Sequence, residues 1–256
     1  MSDLLQRVQA RFLKELFHAS KGGFVLKGGM AISALFGPSR LTRDVDLDFP
    51  SEAKRTADSL HNQVKRALNQ ALRGTGILEV HISEPGKAEI SPKWKVSGRA
   101  LTGEPFHMKV EVSRRPPPPG QVKQAVISGV ASFGLGTYYV DLYDERTLVA
   151  MKLAALLGRT AARDVCDLDL LLPTHAPGQQ LLDWALEHAN VPADEASRAV
   201  QDKLASMDWE LFQTQMLADP ALLAHMTPEG WHQMKERVGK TLADVLDHHA
   251  LQESSP

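Results

Sequence analysis

Residues 43–49, RDVDLDF, place Asp44, Asp46 and Asp48 at every second position, a short distance after a glycine pair, Gly28 and Gly29. A β-strand has a period of two, so the three carboxylates share one face while Val45, Leu47 and Phe49 take the other. Aspartate is a poor strand former, and carboxylates about 7 Å apart on one face repel. An acidic row backed by apolar residues therefore requires a cation, and the expected one is Mg²⁺.

The 256 residues and their 43% hydrophobic content suit one large domain or two modest ones with a proper core. A formal net charge of -2 gives no overall attraction to a polyanion, so nucleic acid has to be held by a local patch. The single cysteine, Cys166, excludes an intramolecular disulfide framework and a cysteine-rich zinc site. The scattered histidines offer no pair at metal-ligand spacing. The opening MSDLLQRVQARFLKEL lacks the unbroken apolar stretch of a signal peptide or membrane span, and the cytoplasm is the expected location.

Apolar residues at helical spacing predict an opening helix over Leu4–Ala19, ended by Lys21, Gly22 and Gly23. A strand at Phe24–Leu26 follows, then a short helix over Met30–Phe36 closed by Gly37 and Pro38. The acidic strand comes next, and after it a helix over Ser51–Arg73 with Ser51 as N-cap. Alternation predicts strands at Ile77–Ser83 and His107–Ser113, with a weaker strand pattern at Lys93–Val96. The prolines of RRPPPPG, residues 114–120, make a stiff extended connector at the edge of the sheet. From Asp144 onward helical patterns recur over Asp144–Leu157, Arg163–Leu172, Gly178–Ala189, Asp194–Met207, Asp208–Leu217 and Pro228–His248. Trp184, Trp209 and Trp231 fall within them as core residues, and Gln252–Pro256 reads as a frayed tail. The expectation is an α+β chain, with a mixed-sheet core over residues 1–142 and an all-helical domain over residues 143–256.

Gly28 and Gly29, between a strand and a helix, let the backbone approach a ligand and present amide groups at a helix N-terminus, where phosphate binds. In HMKVEVSRR, residues 107–115, Lys109, Glu111 and Ser113 share one strand face. Glu111 can complete an acidic triad of the kind used in metal-assisted phosphoryl transfer. Lys152 lies in an otherwise apolar helical run and is costly to bury without an anion. Arg159 follows two turns later, so both cations can face one groove and meet phosphates, while Arg163, Asp164 and Asp167 open the next helix. Taken singly, these features also describe a tight turn, a solvated strand face, an exposed Lys-Glu face, and a snorkelling lysine beside an Arg163 pair with Asp164 or Asp167. Arg40, Arg43, Arg114 and Arg115 can form a positive rim for a tRNA-sized acceptor. Lys93, Trp94 and Lys95 suit either base stacking or a hairpin with a half-buried tryptophan.

In order along the chain, KGGMAISALFG, RLTRDVDLDF, MKVEVS and LVAMKLAALLGRTAARDVCDLDLL resemble four motifs of one family. These are the glycine motif, the D-x-D, the third-strand acid and the Lys-to-RDxxDL helix pair of the AbiEii-type, MenT-like nucleotidyltransferase toxins, within the polymerase-β-like nucleotidyltransferase superfamily. The resemblance covers residues 24–172. It implies that Gly28 and Gly29 cradle phosphates, that Asp44 and Asp46 ligate Mg²⁺ with Glu111 as the third acid, that Lys152 holds the triphosphate, and that Asp167 is a further essential acid. Asp48 lies outside the D-x-D and is expected to be structural. The implied reaction moves NMP from an NTP to an acceptor hydroxyl, releasing pyrophosphate. The implied setting is the toxin of a bacterial toxin–antitoxin pair that acts on the tRNA acceptor end and is restrained by a cognate antitoxin. Two other readings use the same residues: NMP transfer to a small molecule or protein hydroxyl, and a catalytically silent nucleotide-binding regulator.

Overall fold

The computed structural model describes residues 2–20, 23–37, 42, 44–49, 57–86, 89–127, 134–217 and 220–253. The chain divides into two compact units, Met1–Pro117 with Val122–Tyr143, and Pro118–Gln121 with Asp144–Pro256.

The first unit is built on one seven-stranded sheet. Its strands are β1 (Val25–Lys27), β2 (Asp44–Asp48), β3 (Ile77–Ser83), β4 (Lys93–Ala100), β5 (Pro105–Ser113), β6 (Val122–Val126) and β7 (Tyr139–Tyr143), in the order β3-β4-β5-β2-β1-β7-β6. β2 runs parallel to β5 and β1 parallel to β7, while the other pairs are antiparallel. Alternation sorts the two faces. Val45, Leu47, Trp94, Val96, Met108, Val110 and Val112 are buried on one, and Asp44, Asp46, Lys95, Lys109 and Glu111 stand partly or fully exposed on the other. A one-residue slip of β2 would exchange Val45 and Leu47, each worth about 1.5–3 kcal/mol when buried, for carboxylates, so the register is strongly specified.

Two amphipathic helices of this unit pack on each other, α1 (Ser2–Ser20) through Val8, Phe12, Leu13 and Leu16, and α3 (Ala57–Leu72) through Leu60, Val64 and Leu68. The His61 ring of α3 meets Trp94 edge-on at 5.0 Å, so α3 covers the apolar face of β4. Trp94 is therefore 0% exposed. It is neither a half-buried hairpin residue nor a stacking platform, because Lys93 and Lys95 take the solvent side of the strand and send the indole inward.

Several boundaries differ from the sequence expectation. The strand before the glycines is Val25–Lys27, and α2 (Gly28–Phe36) begins at Gly28 itself rather than at Met30. β4 continues to Ala100, held by antiparallel partners on both sides. β6 and β7 were not foreseen. Both are short, and their strand character comes from pairing with each other and, for β7, with β1. The Ser51 N-cap, the stop at Lys21 and Gly22, Pro38, and the rim residues Arg40 and Arg43 lie outside the described residues.

The second unit is helical. Its central helix α4 (Glu145–Gly158) is capped by Asp144, whose carboxylate accepts the Thr147 backbone N–H at 2.9 Å. Leu148, Val149, Leu153, Leu156 and Leu157 are buried as α4 packs against α5 (Ala162–Leu171), α6 (Gln179–Ala189) and α7 (Ala196–Ala205). Gly120, at the end of the proline stretch, is required by contact: an added Cβ would lie 2.0 Å from Thr147 Oγ1. α8 (Trp209–Met216), α9 (Pro220–His225) and the long α10 (Pro228–Glu253) complete the unit. Trp231 is buried, packs on Phe212 at 4.7 Å and donates from Nε1 to the Met207 carbonyl at 3.1 Å. Trp184 and Trp209 are only half-buried, each stacked on a ring of its own helix, His188 and Phe212 respectively. α9 was not foreseen, the Asp194–Met207 pattern opens as a single 3₁₀ turn before α7, and Gln252 and Glu253 continue α10 rather than fraying. Among the described residues no helix is long and apolar enough to cross a membrane.

Candidate functional site

The chemistry of the first unit gathers on the polar face around β2. The parallel register with β5 sets Asp44 opposite Lys109, Asp46 opposite Glu111 and Asp48 opposite Ser113. On its other side β2 pairs with β1, where Lys27 stands opposite Asp46. Burial raises the Asp46 pKa above its ordinary value, and the nearby Asp44 and Glu111 charges add to the effect, while Lys109 and Lys27 pull it partly back. Three carboxylates thus crowd one place, as the alternation of β2 and the β2–β5 register together require.

The glycine motif meets this row directly. Gly28 opens α2 with φ +66°, and an added Cβ there would lie 2.6 Å from Asp46 Oδ2. A side chain at this position is excluded by both the left-handed backbone and the carboxylate. Gly29 is buried as the second residue of α2.

Cations hold the row in place. Lys109 Nζ lies 3.1 Å from Asp44 Oδ2 and 3.8 Å from Glu111 Oε2, and Lys93 Nζ lies 3.2 Å from the same glutamate oxygen. Asp48 is 3% exposed, pairs with Lys27 and accepts a hydrogen bond from the Tyr143 hydroxyl at 2.8 Å. Burial, followed by the charge and hydrogen bond of Asp48, raises the Tyr143 pKa, so the phenol remains a donor. Asp48 consequently ties β2 to β1 and β7. Lys27, Lys109 and Tyr143 were not assigned to the site from sequence. Lys27 was legible as the residue before the glycine pair, but Tyr143 comes from a strand with no forecast.

Among the described residues, no three His, Cys, Asp or Glu side chains converge into an ion cage in this side-chain arrangement. The donor set nevertheless fits a hard divalent cation. Asp44, Asp46 and Glu111 offer oxygen only, and the raised Asp46 pKa reports carboxylate repulsion that a bound cation would relieve.

The second unit holds its own cluster. Lys152 is 7% exposed, with Nζ 3.0 Å from Asp164 Oδ1 and 2.6 Å from Asp167 Oδ2. Arg159, at the C-terminus of α4, binds Asp164 in bidentate fashion at 2.8 and 3.0 Å. Burial of Asp164 would raise its pKa, but the Lys152 and Arg159 charges and hydrogen bonds outweigh it, and the carboxyl sits below its ordinary range. Asp164 and Asp167 are met by Lys152 and Arg159 rather than by the exposed Arg163. Asp164 was noted in the sequence only as a helix opener. Its pairing joins two helices, a contact that no single-helix periodicity displays.

The structure therefore brings Gly28, Gly29, Asp44, Asp46 and Glu111 together in the first unit, and Lys152, Arg159 and Asp167 together in the second. This arrangement of folded elements occurs in known proteins. The chain is similar to JHP933 from Helicobacter pylori (TM-score 0.57, 19% identity, 98% of this chain and 97% of that one). It is similar to a putative nucleotidyltransferase from H. pylori (TM-score 0.58, 20% identity, 96% of both chains). MenT4, a nucleotidyltransferase toxin from Mycobacterium tuberculosis H37Rv, gives TM-score 0.59 at 19% identity, with 97% of this chain and 93% of that one covered. At these identities the likeness establishes the fold. No curated protein matches the sequence. The model of the family described as "Nucleotidyl transferase AbiEii toxin, Type IV TA system" matches residues 11–246, nearly the whole chain. The chain belongs to the AbiEii nucleotidyltransferase toxins of type IV toxin–antitoxin systems.

Proposed function

We propose that this nucleotidyltransferase transfers NMP from an NTP to the hydroxyl of a tRNA acceptor end in a Mg²⁺-dependent reaction, and that a cognate antitoxin restrains it in the cytoplasm. The observation that carries this reading is the register that sets Asp46 opposite Glu111 on parallel strands, with Asp44 two residues away and Gly28 against the Asp46 carboxylate. Asp44, Asp46 and Glu111 would hold the metal, which supplies Lewis-acid polarisation of the phosphoryl oxygens when bound. Glu111 orients the acceptor hydroxyl and accepts its proton as the oxygen forms a bond to the α-phosphorus. The bond to the bridging oxygen breaks and pyrophosphate departs with the electron pair. Amide groups at Gly28 and Gly29 meet phosphate oxygens at the N-terminus of α2.

In the second unit, Lys152 and Arg159 are the proposed triphosphate contacts, and Asp167 the further essential acid. The half-exposed Arg159 guanidinium is the accessible member of that cluster, while Asp164 and Asp167 orient the Lys152 ammonium between them.

The test is incubation of the protein and of Asp44→Ala with Mg²⁺, each of the α-labelled NTPs and total bacterial RNA, resolved on a denaturing gel. Label on tRNA-sized bands with wild type alone is the expected result, with Asp44→Ala folded and inactive. Full activity in Asp44→Ala would overturn the mechanism. Label that appears only on protein or on small molecules would overturn the acceptor.

A further inference from the structure

The sheet order puts β2 between two different neighbours. Gly28 and the N-terminus of α2 lie on the β1 side, while on the other side the polar face of β5, β4 and β3 is open. A cleft of ≈ 430 Å³ begins there at Asp44. Its floor carries one row of side chains across four strands, with Asp44 opposite Lys109, Lys109 opposite Lys95, and Lys95 opposite Ser83. A second row, His107, Ser97 and His81, lies two residues further along the strands. His81 joins that row because β3 shifts register between Leu78 and His81, with Glu79 at φ 52. Such irregularities re-aim side chains next to functional sites.

Lysines directly opposite on neighbouring strands repel. Lys109 is compensated by Asp44 at 3.1 Å, but Lys95 is exposed and has no ion-pair partner among the described residues. Asp44 is the one carboxylate that lines the cleft among the described residues. The result is a positive track, flanked by imidazole rings and hydroxyls, that ends on the acidic row. In-line phosphoryl transfer needs the attacking and leaving oxygens on opposite sides of the phosphorus. With the glycine motif on the β1 flank of β2, the acceptor enters from the β5 flank.

The geometry points to an acceptor site on this cleft for a single-stranded nucleic acid, with phosphodiester groups on Lys95 and Lys109, bases against His81 and His107, and the terminal hydroxyl at the Asp44 end. This site rests on the nucleotidyl-transfer reading and supplies its acceptor side. A phosphodiester strand suits the track because it repeats its charge along the row, and sugar and base fill the space beside it.

The experiment uses a fluorescent single-stranded RNA of about 12 nucleotides with a free 3′ hydroxyl. Its binding to the full chain is followed by anisotropy over a range of salt, and the KM values for RNA and NTP are measured in parallel. In Lys95→Glu, RNA affinity falls about tenfold and the log–log salt slope drops by about one, with Lys95→Gln intermediate. The KM for NTP and the thermal midpoint stay at wild-type values. Equal RNA affinity in wild type and Lys95→Glu, no RNA binding by wild type, or a rise in the KM for NTP in place of that for RNA would each overturn the site. RNA held through Lys95 but never extended would instead sink the transfer reading while upholding the track as a nucleic-acid site.

Discussion

Lys152→Met removes one ammonium from the interior of the second unit and leaves both carboxylates in place. Asp164 is 0% exposed and Asp167 2% exposed, so neither can recover the lost charge from water. Removing one partner of a buried ion pair costs about 3–5 kcal/mol. Arg159 retains Asp164 through its two hydrogen bonds, and the penalty falls chiefly on Asp167, whose Oδ2 lies 2.6 Å from the ammonium. The methionine keeps the apolar contacts of the lysine stem, which places the expected loss near the lower end, about 3 kcal/mol. That corresponds to a fall in thermal midpoint of about 10 °C. Urea unfolding monitored by tryptophan fluorescence reads it. Adding Asp167→Asn to Lys152→Met removes the charge that the variant strands, and the pair should show a coupling of about 2 kcal/mol. The pH dependence gives a second check. The folded pKa of Asp164 is depressed, so its contribution is complete above the unfolded value of 3.8 and is lost as pH falls through the lower folded value. The gap between wild type and Lys152→Met should narrow over that acid window. A single variant within about 1 kcal/mol of wild type at neutral pH, or a double variant no better than the sum of the two changes, would refute the buried-network account.

Gly28→Ala imposes about 1–2 kcal/mol of left-handed strain and a Cβ 2.6 Å from Asp46 Oδ2. The carboxylate has to rotate away, and transfer should drop about 10²-fold while the chain stays folded; retention of near-wild-type activity would show that Asp46 does not need the glycine. Asp46→Asn tests the opposite balance. Its pKa is raised in the folded protein, so ionisation there opposes folding, and the associated stability is greatest below 3.8 and lost as pH rises through the folded value. In metal-free buffer at pH 7 the amide should stabilise the protein by on the order of 1 kcal/mol and flatten its stability profile above that acid range, at the expense of transfer. A lowered urea midpoint would contradict the crowding of carboxylates at this position.

The acidic strand, the paired glycines and the lysine helix were legible because each depends on neighbours close in sequence. Alternation in DVDLDF assigns faces without reference to any partner, and the period of α4 does the same for Lys152. β6 and β7 were not legible, since short strands take their character from what they pair with. The faces of β4 were misjudged around Trp94 because aromatic and basic residues in sequence contact lie on opposite sides of a strand.

By itself the sequence determined the α+β class, the family and the residue types that approach a phosphate, all of which follow from short-range periodicity and motif order. Tertiary structure decided what each charge meets. Whether Glu111 falls opposite Asp46 depends on the register of two strands more than sixty residues apart. Asp48 is tied to Lys27 and Tyr143 because β1 and β7 lie side by side. The Lys152 cluster closes only when α5 returns against α4. A charge interacts through distance in space, and that distance is set by the packing of elements remote in the chain.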